Sequence, residues 1–170
     1  KNQNIYMDTC IMKTELFISL VKEAKKLSSM YTLTDILNDK CETLDIRGVA
    51  HKGYFASITD FPSYYAANMD LLDYKAAQEL FHENWPIYTR TNDSCPTQYF
   101  DTAEVKNSVI SNGCRIEGTV ENSVIGRGCV IKKGAVVKNS VVLAEVTIGE
   151  DVHVENEVVD KWARLIRKKE

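Results

Sequence analysis

The sequence lacks several features that would assign it to a common class of proteins. No apolar run in its 170 residues approaches the ~20 needed to span a bilayer, and the start KNQNIYMDTC lacks the charged-then-apolar layout of a secretion signal. It also lacks a basic excess, because 24 acidic residues against 21 basic ones leave a net charge of −3. These absences exclude nucleic acid and anionic membrane surfaces as expected partners. We therefore predict a cytoplasmic protein.

Metal-ligand spacing is missing as well. The chain has an odd number of cysteines, none in a C-x-x-C pair, and its three histidines are far apart in sequence. We therefore expect no metal site, and we expect the cysteines to be small buried hydrophobes or surface thiols in a reducing compartment. The residues concerned are Cys10, Cys41, Cys95, Cys114, Cys129, His51, His82 and His153.

The first part of the chain, residues 1–89, has the pattern of a mixed α and β region. Apolar residues at helical spacing predict a helix over 14–27, with Thr14 as its cap. A short helical turn is expected at 34–37, capped by Thr34.

Strands and a second helical segment complete this first part. Residues 4–12 are expected to form a strand, and alternating apolar residues predict two more strands within 43–59. Residues 61–81 are helical in pattern, with Pro62 suited to the first turn. A connector rich in Asn, Asp, Ser and Pro then indicates a linker over 90–104.

From residue 105 to 160 the pattern changes to a repeat with a period of six. Large aliphatic residues recur mostly six positions apart, a small or β-branched residue often follows four positions later, and turn formers lie between them. This pattern predicts a parallel β-helix of hexapeptides. The residues predicted for its core are Ile110, Cys114, Ile116, Val120, Ile125, Cys129, Ile131, Ala135, Val137, Val141, Ile148, Val152, Val154 and Val158.

The geometry of such a repeat predicts how far it extends. Three six-residue faces return the chain to its start after ~18 residues, one strand spacing further along the axis. Residues 105–160 then give about three coils, close to the minimum for a continuous core. Both ends expose strand edges, so we expect association or interdomain packing. The basic residues 161–170 are either a solvated tail or a last coil cut short.

Several stretches resemble the ADP-glucose pyrophosphorylase (glucose-1-phosphate adenylyltransferase) family, and within it the D-type regulatory subunits of glycogen biosynthesis. The resemblance lies in GYFASITDFPSYYAANMDLL (53–72), in VKNSVISNGCRIEGTVENSVIGRGCVIKKGAVVKNSVV (105–142) and in VVDK (158–161). It implies the C-terminal part of a nucleotide-sugar-transferase α/β domain followed by a left-handed parallel β-helix. It also implies a C-terminal fragment, since the family's glycine-rich nucleotide-binding loop has no counterpart here.

The same resemblance implies that the catalytic pocket has degenerated. Catalytic chains of the family join ATP to glucose 1-phosphate with Mg²⁺ held by carboxylates, and they carry an aspartate where this chain has Ser57. Tyr6 and Asp8 replace small residues of the sugar-phosphate pocket, and Asp60 is more readily a helix-start residue than a displaced metal ligand. We therefore expect this chain to bind no cofactor, while ATP and magnesium belong to the catalytic chains.

The functional expectation is a noncatalytic regulatory or structural subunit. It would pair with a catalytic subunit of the family or with itself, and it could respond to a phosphorylated metabolite. Three alternatives stay open: a catalytically active adenylyltransferase subunit, a hexapeptide acyltransferase with His153 as its base, or an assembly module without a regulatory role.

Overall fold

The computed structural model describes residues 5–89 and 93–167. They fall into two compact units, the first ending at His51 and the second beginning at Lys52. The first unit is helical, and the second holds further helices and a parallel β-solenoid.

The first unit is built from two helices, α1 (Thr14–Leu27) and α2 (Leu33–Asp39). Leu20 and Ala24 of α1 and Ile36 of α2 are its buried residues. The apolar face expected for α1 is thus the face that packs, because positions four apart lie on one side of a helix. Partly buried side chains surround this small core: Met12, Leu16, Tyr31, Leu33, Leu37 and Leu44.

Both predicted helix caps in this unit are wrong. The residue before α1 is Lys13, which has extended backbone and makes no side-chain cap, while Thr14 is already helical. Helix α2 is capped by Thr32, whose hydroxyl accepts a hydrogen bond from the Asp35 main-chain N–H, and Asp35 bonds back to the main-chain N–H of Thr32. A cap must precede the first turn in extended conformation, and helix α2 begins at Leu33, one residue before the predicted cap Thr34.

The predicted strands of residues 1–89 are also not found. Within residues 5–13 and 43–60 the structure has no hydrogen-bonded strand; residue 4 lies outside the described residues. Alternation indicates which side chains could share a face, but a strand also needs a partner for its N–H and C=O groups. No described residue forms such a ladder with these segments, so their backbone stays irregular.

The helical segment of the second unit is interrupted. Helix α3 (Phe61–Met69) continues into a 3₁₀ turn (Asp70–Leu72), and α4 (Tyr74–Leu80) follows. The single helix predicted over 61–81 therefore breaks at Asp73, which is extended and accepts a hydrogen bond from the Lys75 main-chain N–H at 2.9 Å. An aspartate competes for its neighbours' N–H groups, so it favours a cap over a helix interior.

The solenoid consists of thirteen short parallel strands within residues 93–167, arranged in three sheets over about four turns. The strand orders are β1-β4-β7-β10-β13, β2-β5-β8-β11 and β3-β6-β9-β12. The strands are β1 (Gln98–Tyr99), β2 (Glu104–Lys106), β3 (Val109–Ile110), β4 (Arg115–Ile116), β5 (Thr119–Glu121), β6 (Val124–Ile125), β7 (Val130–Ile131), β8 (Val136–Lys138), β9 (Val141–Val142), β10 (Thr147–Ile148), β11 (His153–Glu155), β12 (Val158–Val159) and β13 (Arg164–Leu165).

The predicted parallel β-helix is thus confirmed, and it is longer than expected. Strand β1 lies inside the stretch predicted as the linker 90–104. Strand β13 lies inside residues 161–170 and agrees with the last coil that was one of the two alternatives for them. The irregular connector was expected to end before residue 105, but Tyr99 already pairs with Ile116. The left-handed sense that the resemblance implies stays a prediction.

The coils are shorter than the predicted 18 residues. Ile131 pairs with Ile148, 17 residues further along, whereas Ile116 pairs with Ile131 after only 15. The short coil contains Gly118, where an added Cβ would overlap the carbonyl oxygen of Ala135 and lie 2.7 Å from that of Lys132. A glycine lets two backbone segments approach closely, which allows the tight corner.

Of the fourteen residues predicted for the solenoid core, eleven are buried, and Ile110, Val152 and Val158 are partly buried. The register is wrong for two residues: Val141 and Val158 pair with Val124 and Val109 in an outward-facing column. The inward residues of this sheet are their neighbours, among them Val142 and Val159. The step from one inward position to the next is five residues at this corner, from Val137 to Val142, where Asn139 has a left-handed backbone. It is four residues at the corner before it, from Ile131 to Ala135.

A column of serines supports the corner before this sheet. Ser123 and Ser140 are fully buried polar residues. The hydroxyl of Ser123 donates to the Glu121 carbonyl at 2.7 Å and accepts the main-chain N–H of Ser140 at 3.1 Å, and Ser140 repeats the pattern toward Lys138 and Glu157. The buried hydroxyls therefore have hydrogen-bond partners, as buried polar groups usually do. Their hydrogen bonds also join each coil to the next.

Candidate functional site

The candidate site consists of residues 54–60, called the Ser57 segment below, together with helix α3, which follows it. Asp60 is the N-cap of α3, and its carboxylate accepts the main-chain N–H of Ser63 at 2.8 Å. The Ser63 hydroxyl accepts the main-chain N–H groups of both Thr59 and Asp60 at 3.0 Å. These hydrogen bonds form a capping box. Interaction with the Ser63 side chain, and after it the hydrogen bond from the Ser63 main-chain N–H, lowers the pKa of Asp60. The prediction that Asp60 begins a helix is confirmed.

A second hydrogen bond ties the other end of the segment to the far end of α3. Tyr54, three residues before Ser57, donates its hydroxyl hydrogen bond to the Asp70 carboxylate at 2.9 Å. Partial burial, followed by this hydrogen bond, raises the pKa of Tyr54. Ser57 itself is exposed. The segment that holds Ser57 is therefore attached to α3 on both sides.

Helix α3 in turn rests on the solenoid. The Tyr65 hydroxyl donates to the main-chain oxygen of Asn139 at 2.6 Å, and α3 packs against strand β9. Val141 in β9 faces outward but is only 1% exposed, whereas Val109 in the same column is 40% exposed. The cover supplied by α3 explains why one outward valine is buried.

The other two predicted pocket positions, Tyr6 and Asp8, belong to the first compact unit. Both are exposed. Asp8 has a left-handed backbone (φ 51°) and accepts a hydrogen bond from the Thr34 hydroxyl at 3.2 Å. A hydrogen bond with Cys10 raises the pKa of Tyr6. The structure thus joins Ser57 and Asp60 in one segment, and places Tyr6 and Asp8 in the other unit.

The Ser57 segment does not fit magnesium. Mg²⁺ prefers carboxylate oxygens in octahedral geometry, but Ser57 offers a neutral hydroxyl. Asp60 has the only carboxylate between Ser57 and Ser63, and this carboxylate holds the helix cap. Over the described ranges, no group of three or more His, Cys, Asp or Glu side chains has a metal-binding arrangement.

His153 lies on the outside of strand β11 and is exposed. It borders two shallow depressions of about 290 and 430 Å³, one shared with Lys138 and Glu155 and one with Asp151 and Arg167. The acyltransferase alternative also calls for a loop that protrudes between coils. Within residues 93–167 each coil passes directly to the next, in steps of 15 or 17 residues.

The buried cysteines Cys114 and Cys129 stack at one inner corner of the solenoid. Each sulfur lies near a main-chain carbonyl oxygen, 3.2 Å from Gly126 and 3.0 Å from Leu143 respectively. The hydrogen bond to Cys114, and burial after it, raises the pKa of Cys129. The same contact lowers the pKa of Cys114, so the surroundings hold only Cys129 neutral. Both thiols fill the core as small residues.

Known proteins resemble this chain in sequence. A family model described as "GlmU-like, C-terminal hexapeptide" matches residues 96–169. The glycogen biosynthesis protein GlgD of Geobacillus stearothermophilus is 36% identical over 131 residues, 77% of this chain and 38% of that protein. The glucose-1-phosphate adenylyltransferase of Fervidobacterium nodosum is 33% identical over 141 residues, 82% of this chain and 34% of that protein. The GlgD of Bacillus subtilis is 33% identical over 128 residues, 75% of this chain and 37% of that protein.

The chain is similar over most of its length to proteins named for glycogen biosynthesis and for glucose-1-phosphate adenylyltransferase. It spans about a third of the length of the relatives described above. Within the described residues, no helix has the length and apolar character needed to cross a bilayer.

The sequence did not predict the residues that attach the Ser57 segment to the solenoid. Tyr54, Tyr65 and Asp70 were not singled out as contacts. One signal was present: every strand of the third sheet carries two adjacent aliphatic residues, as in Val141-Val142. Apolar side chains on both faces of a strand indicate that both faces are covered.

Proposed function

We propose that this chain is a noncatalytic regulatory or structural subunit of a glucose-1-phosphate adenylyltransferase that acts in glycogen biosynthesis in the cytoplasm. Its relatives include proteins named for glycogen biosynthesis and for this enzyme activity. In the proposed role it contributes its solenoid and helices to an assembly, while a catalytic chain supplies ATP and magnesium binding.

The observation that carries the proposal is the use of side chains at the Ser57 segment. Catalytic chains that resemble this one have an aspartate at the position of Ser57, and a hydroxyl cannot offset phosphate charge through a bound metal as a carboxylate does. The nearby carboxylate of Asp60 caps α3 and accepts the Ser63 N–H. The segment supports a helix and lacks the ligand set for phosphoryl transfer.

The proposed partner is a catalytic subunit of the same family, with self-association as a second arrangement. Among the residues that the structure describes, the outermost strand of each sheet pairs only on its inner side: β1, β2 and β3 at one end, and β11, β12 and β13 at the other. Apolar side chains near these ends are exposed, among them Tyr99, Val105 and Ile166. Unpaired strand edges and apolar surface favour coverage by another chain. We include a phosphorylated metabolite as the proposed effector of that assembly.

A catalytically active subunit is the second candidate. It is favoured by the match to the Fervidobacterium nodosum glucose-1-phosphate adenylyltransferase, which covers 82% of this chain. The acyltransferase alternative has only the exposed His153 in its favour.

Mixing this chain with two forms of a catalytic relative separates the candidates. One form is active, and the other is inactivated by replacing the aspartate that matches Ser57 with alanine. We expect the chain to change ADP-glucose formation by the active form and to give none with the inactive form. ADP-glucose formation in the mixture with the inactive form would assign catalysis to this chain instead. A parallel mixture with the Ser57→Ala variant of this chain is the control, and it should behave as the natural chain does.

A further inference from the structure

We propose that α3 is a rigid link between the solenoid and the Ser57 segment, and that Tyr65 is the positioning residue that couples them. Through this link, the third sheet of the solenoid sets the position of the segment that corresponds to the catalytic pocket of relatives. The regulatory use of the link rests on the function proposed above, whereas the link itself does not.

The main-chain carbonyl of Asn139, which accepts the Tyr65 hydrogen bond, lies at a well-fixed corner of the solenoid. Asn139 has a left-handed backbone (φ 44°) at a corner between strands β8 and β9. Its own N–H is bonded to the Glu121 carbonyl at 3.1 Å, which fixes the corner to the preceding coil. Beside it, the Ser140 hydroxyl and N–H are both engaged in the serine column. The Tyr65 hydroxyl therefore bonds to a carbonyl whose position is fixed by the fold.

Helix α3 connects Tyr65 to the Ser57 segment over a short distance. The capping box at Asp60 lies five residues before Tyr65, about 7.5 Å along a helix. The Thr59 and Asp60 N–H groups are bonded to Ser63 within the first turn, and Tyr54 is bonded to Asp70 just past the last turn. A segment held at both ends of one helix moves with that helix.

Burial shows that the contact extends beyond one hydrogen bond. Val141 is nearly inaccessible under α3, while its column neighbour Val109 is 40% exposed. Apolar cover fixes the distance between helix and sheet, and the directional hydrogen bond from Tyr65 fixes where along the sheet the helix sits. Loss of the hydroxyl should therefore loosen the position of α3 without unfolding the solenoid.

Amide hydrogen exchange of the Tyr65→Phe variant tests the link directly. The N–H groups of Thr59, Asp60 and Ser63 report on the segment, because all three donate to the capping box. The N–H groups of Val141 and Leu143 report on the solenoid, because they donate to carbonyls of the next coil. We expect exchange at the three segment amides to be about fivefold faster, the size expected for one net hydrogen bond, and exchange at the two solenoid amides to be unchanged.

Two control variants keep this test specific. Tyr64→Phe removes the neighbouring hydroxyl, and Asn139→Gly keeps both the left-handed corner and the carbonyl that accepts the hydrogen bond. Neither should alter exchange at the segment. The proposal is overturned if Tyr65→Phe leaves the segment amides unchanged, or if it speeds the solenoid amides as much as the segment amides.

Adding an active catalytic relative tests the regulatory use of the link. We expect its binding to change exchange at Thr59, Asp60 and Ser63 in the natural chain and to do so much less in Tyr65→Phe. An equal change in both chains would overturn the coupling through Tyr65. If the relative neither binds nor changes in activity, the proposed function fails, while the exchange data on the chain alone still decide whether the link exists.

Discussion

The two units of the molecule bury their apolar residues in different ways. The solenoid core contains thirteen buried side chains, contributed by equivalent positions of successive coils. The first unit has three buried side chains, from two helices. In the first unit Ile11 is fully exposed, and Met30 and Val49 are 87% and 93% exposed.

This contrast shows that a repeated fold lets a short chain build a larger buried core than two packed helices do. Each added coil buries the faces of the coil before it, so a solenoid core grows in proportion to its length. Two short helices can bury only the stripe along which they meet. We therefore expect the free energy of unfolding to be unequally distributed, with the solenoid as the stable part of the molecule.

The largest effect is expected for Val137→Asp in the solenoid. Val137 is completely buried, and a carboxylate there would have no partner, so the free energy of unfolding should fall by about 4 kcal/mol or more. The neighbouring Lys138→Asp removes a half-buried ion pair to Glu121 at 3.4 Å. It also puts a carboxylate beside Glu121 and Glu155, but the side chain points outward, so the cost should stay at about 1 kcal/mol. Thermal unfolding followed by circular dichroism measures both. Equal shifts would contradict the assigned register.

In the first unit, Ile36→Ala should be the most damaging substitution. Ile36 is 1% exposed, and truncating a buried isoleucine to alanine costs about 3 kcal/mol. We expect helical signal and protease resistance to be lost for residues 5–51 while the solenoid transition stays in place. Ile11→Ala, at a fully exposed position, is the matched control and should leave both unchanged. A simultaneous loss of the solenoid in Ile36→Ala would show that the two units unfold together.

Gly118→Ala tests the short coil. The added methyl group would meet the carbonyl oxygens of Ala135 and Lys132, and such overpacking against backbone costs about 2 kcal/mol. Gly48→Ala in the first unit has open space around it and should change little. Chemical denaturation of the two variants gives the comparison, and an unaltered midpoint for Gly118→Ala would show that the corner is not tight.

The smallest effect is expected at the cap of α3. The hydrogen bonds from Ser63 lower the pKa of Asp60, so the cap stabilises the helix above about pH 4 and its contribution is lost as the pH falls through the lowered pKa. The protection factor of the Ser63 amide, the exchange rate of an unstructured chain divided by its own at the same pH, should fall over that acidic range. In Asp60→Asn, which still caps a helix but does not titrate, this part of the pH dependence should vanish. Its persistence would assign the effect to another carboxylate.

The repeat and the longest helix could be predicted from sequence because each depends on a local period. The bounds 14–27 of α1 and the inward positions of Ile116, Ile131 and Val137 follow from spacing alone. Val141 and Val158 were misassigned because a corner changes the step between inward positions, and the step depends on the turn conformation. The strands expected within 43–59 failed for another reason, since a strand requires a partner that its own sequence does not specify.

The attachment of the Ser57 segment was beyond sequence reasoning for a related reason. The Tyr65 hydroxyl bonds to a main-chain oxygen 74 residues away, and no side chain at position 139 encodes that contact. Local chemistry did predict that Asp60 begins a helix, since an aspartate before Phe-Pro-Ser has the features of a cap. Ser57 could be judged only by resemblance to catalytic chains, because its exposed position gives no further information.

The most direct test of the proposed subunit role is the rate of ADP-glucose formation by a catalytic relative from the same cell, measured as this chain is added. ATP, glucose 1-phosphate and magnesium are held constant, and this chain unfolded by heat beforehand serves as the control. We predict a change in rate that saturates at a fixed ratio of the two chains and is absent with the control. A rate that stays the same at every ratio, with the natural chain folded, would contradict the account.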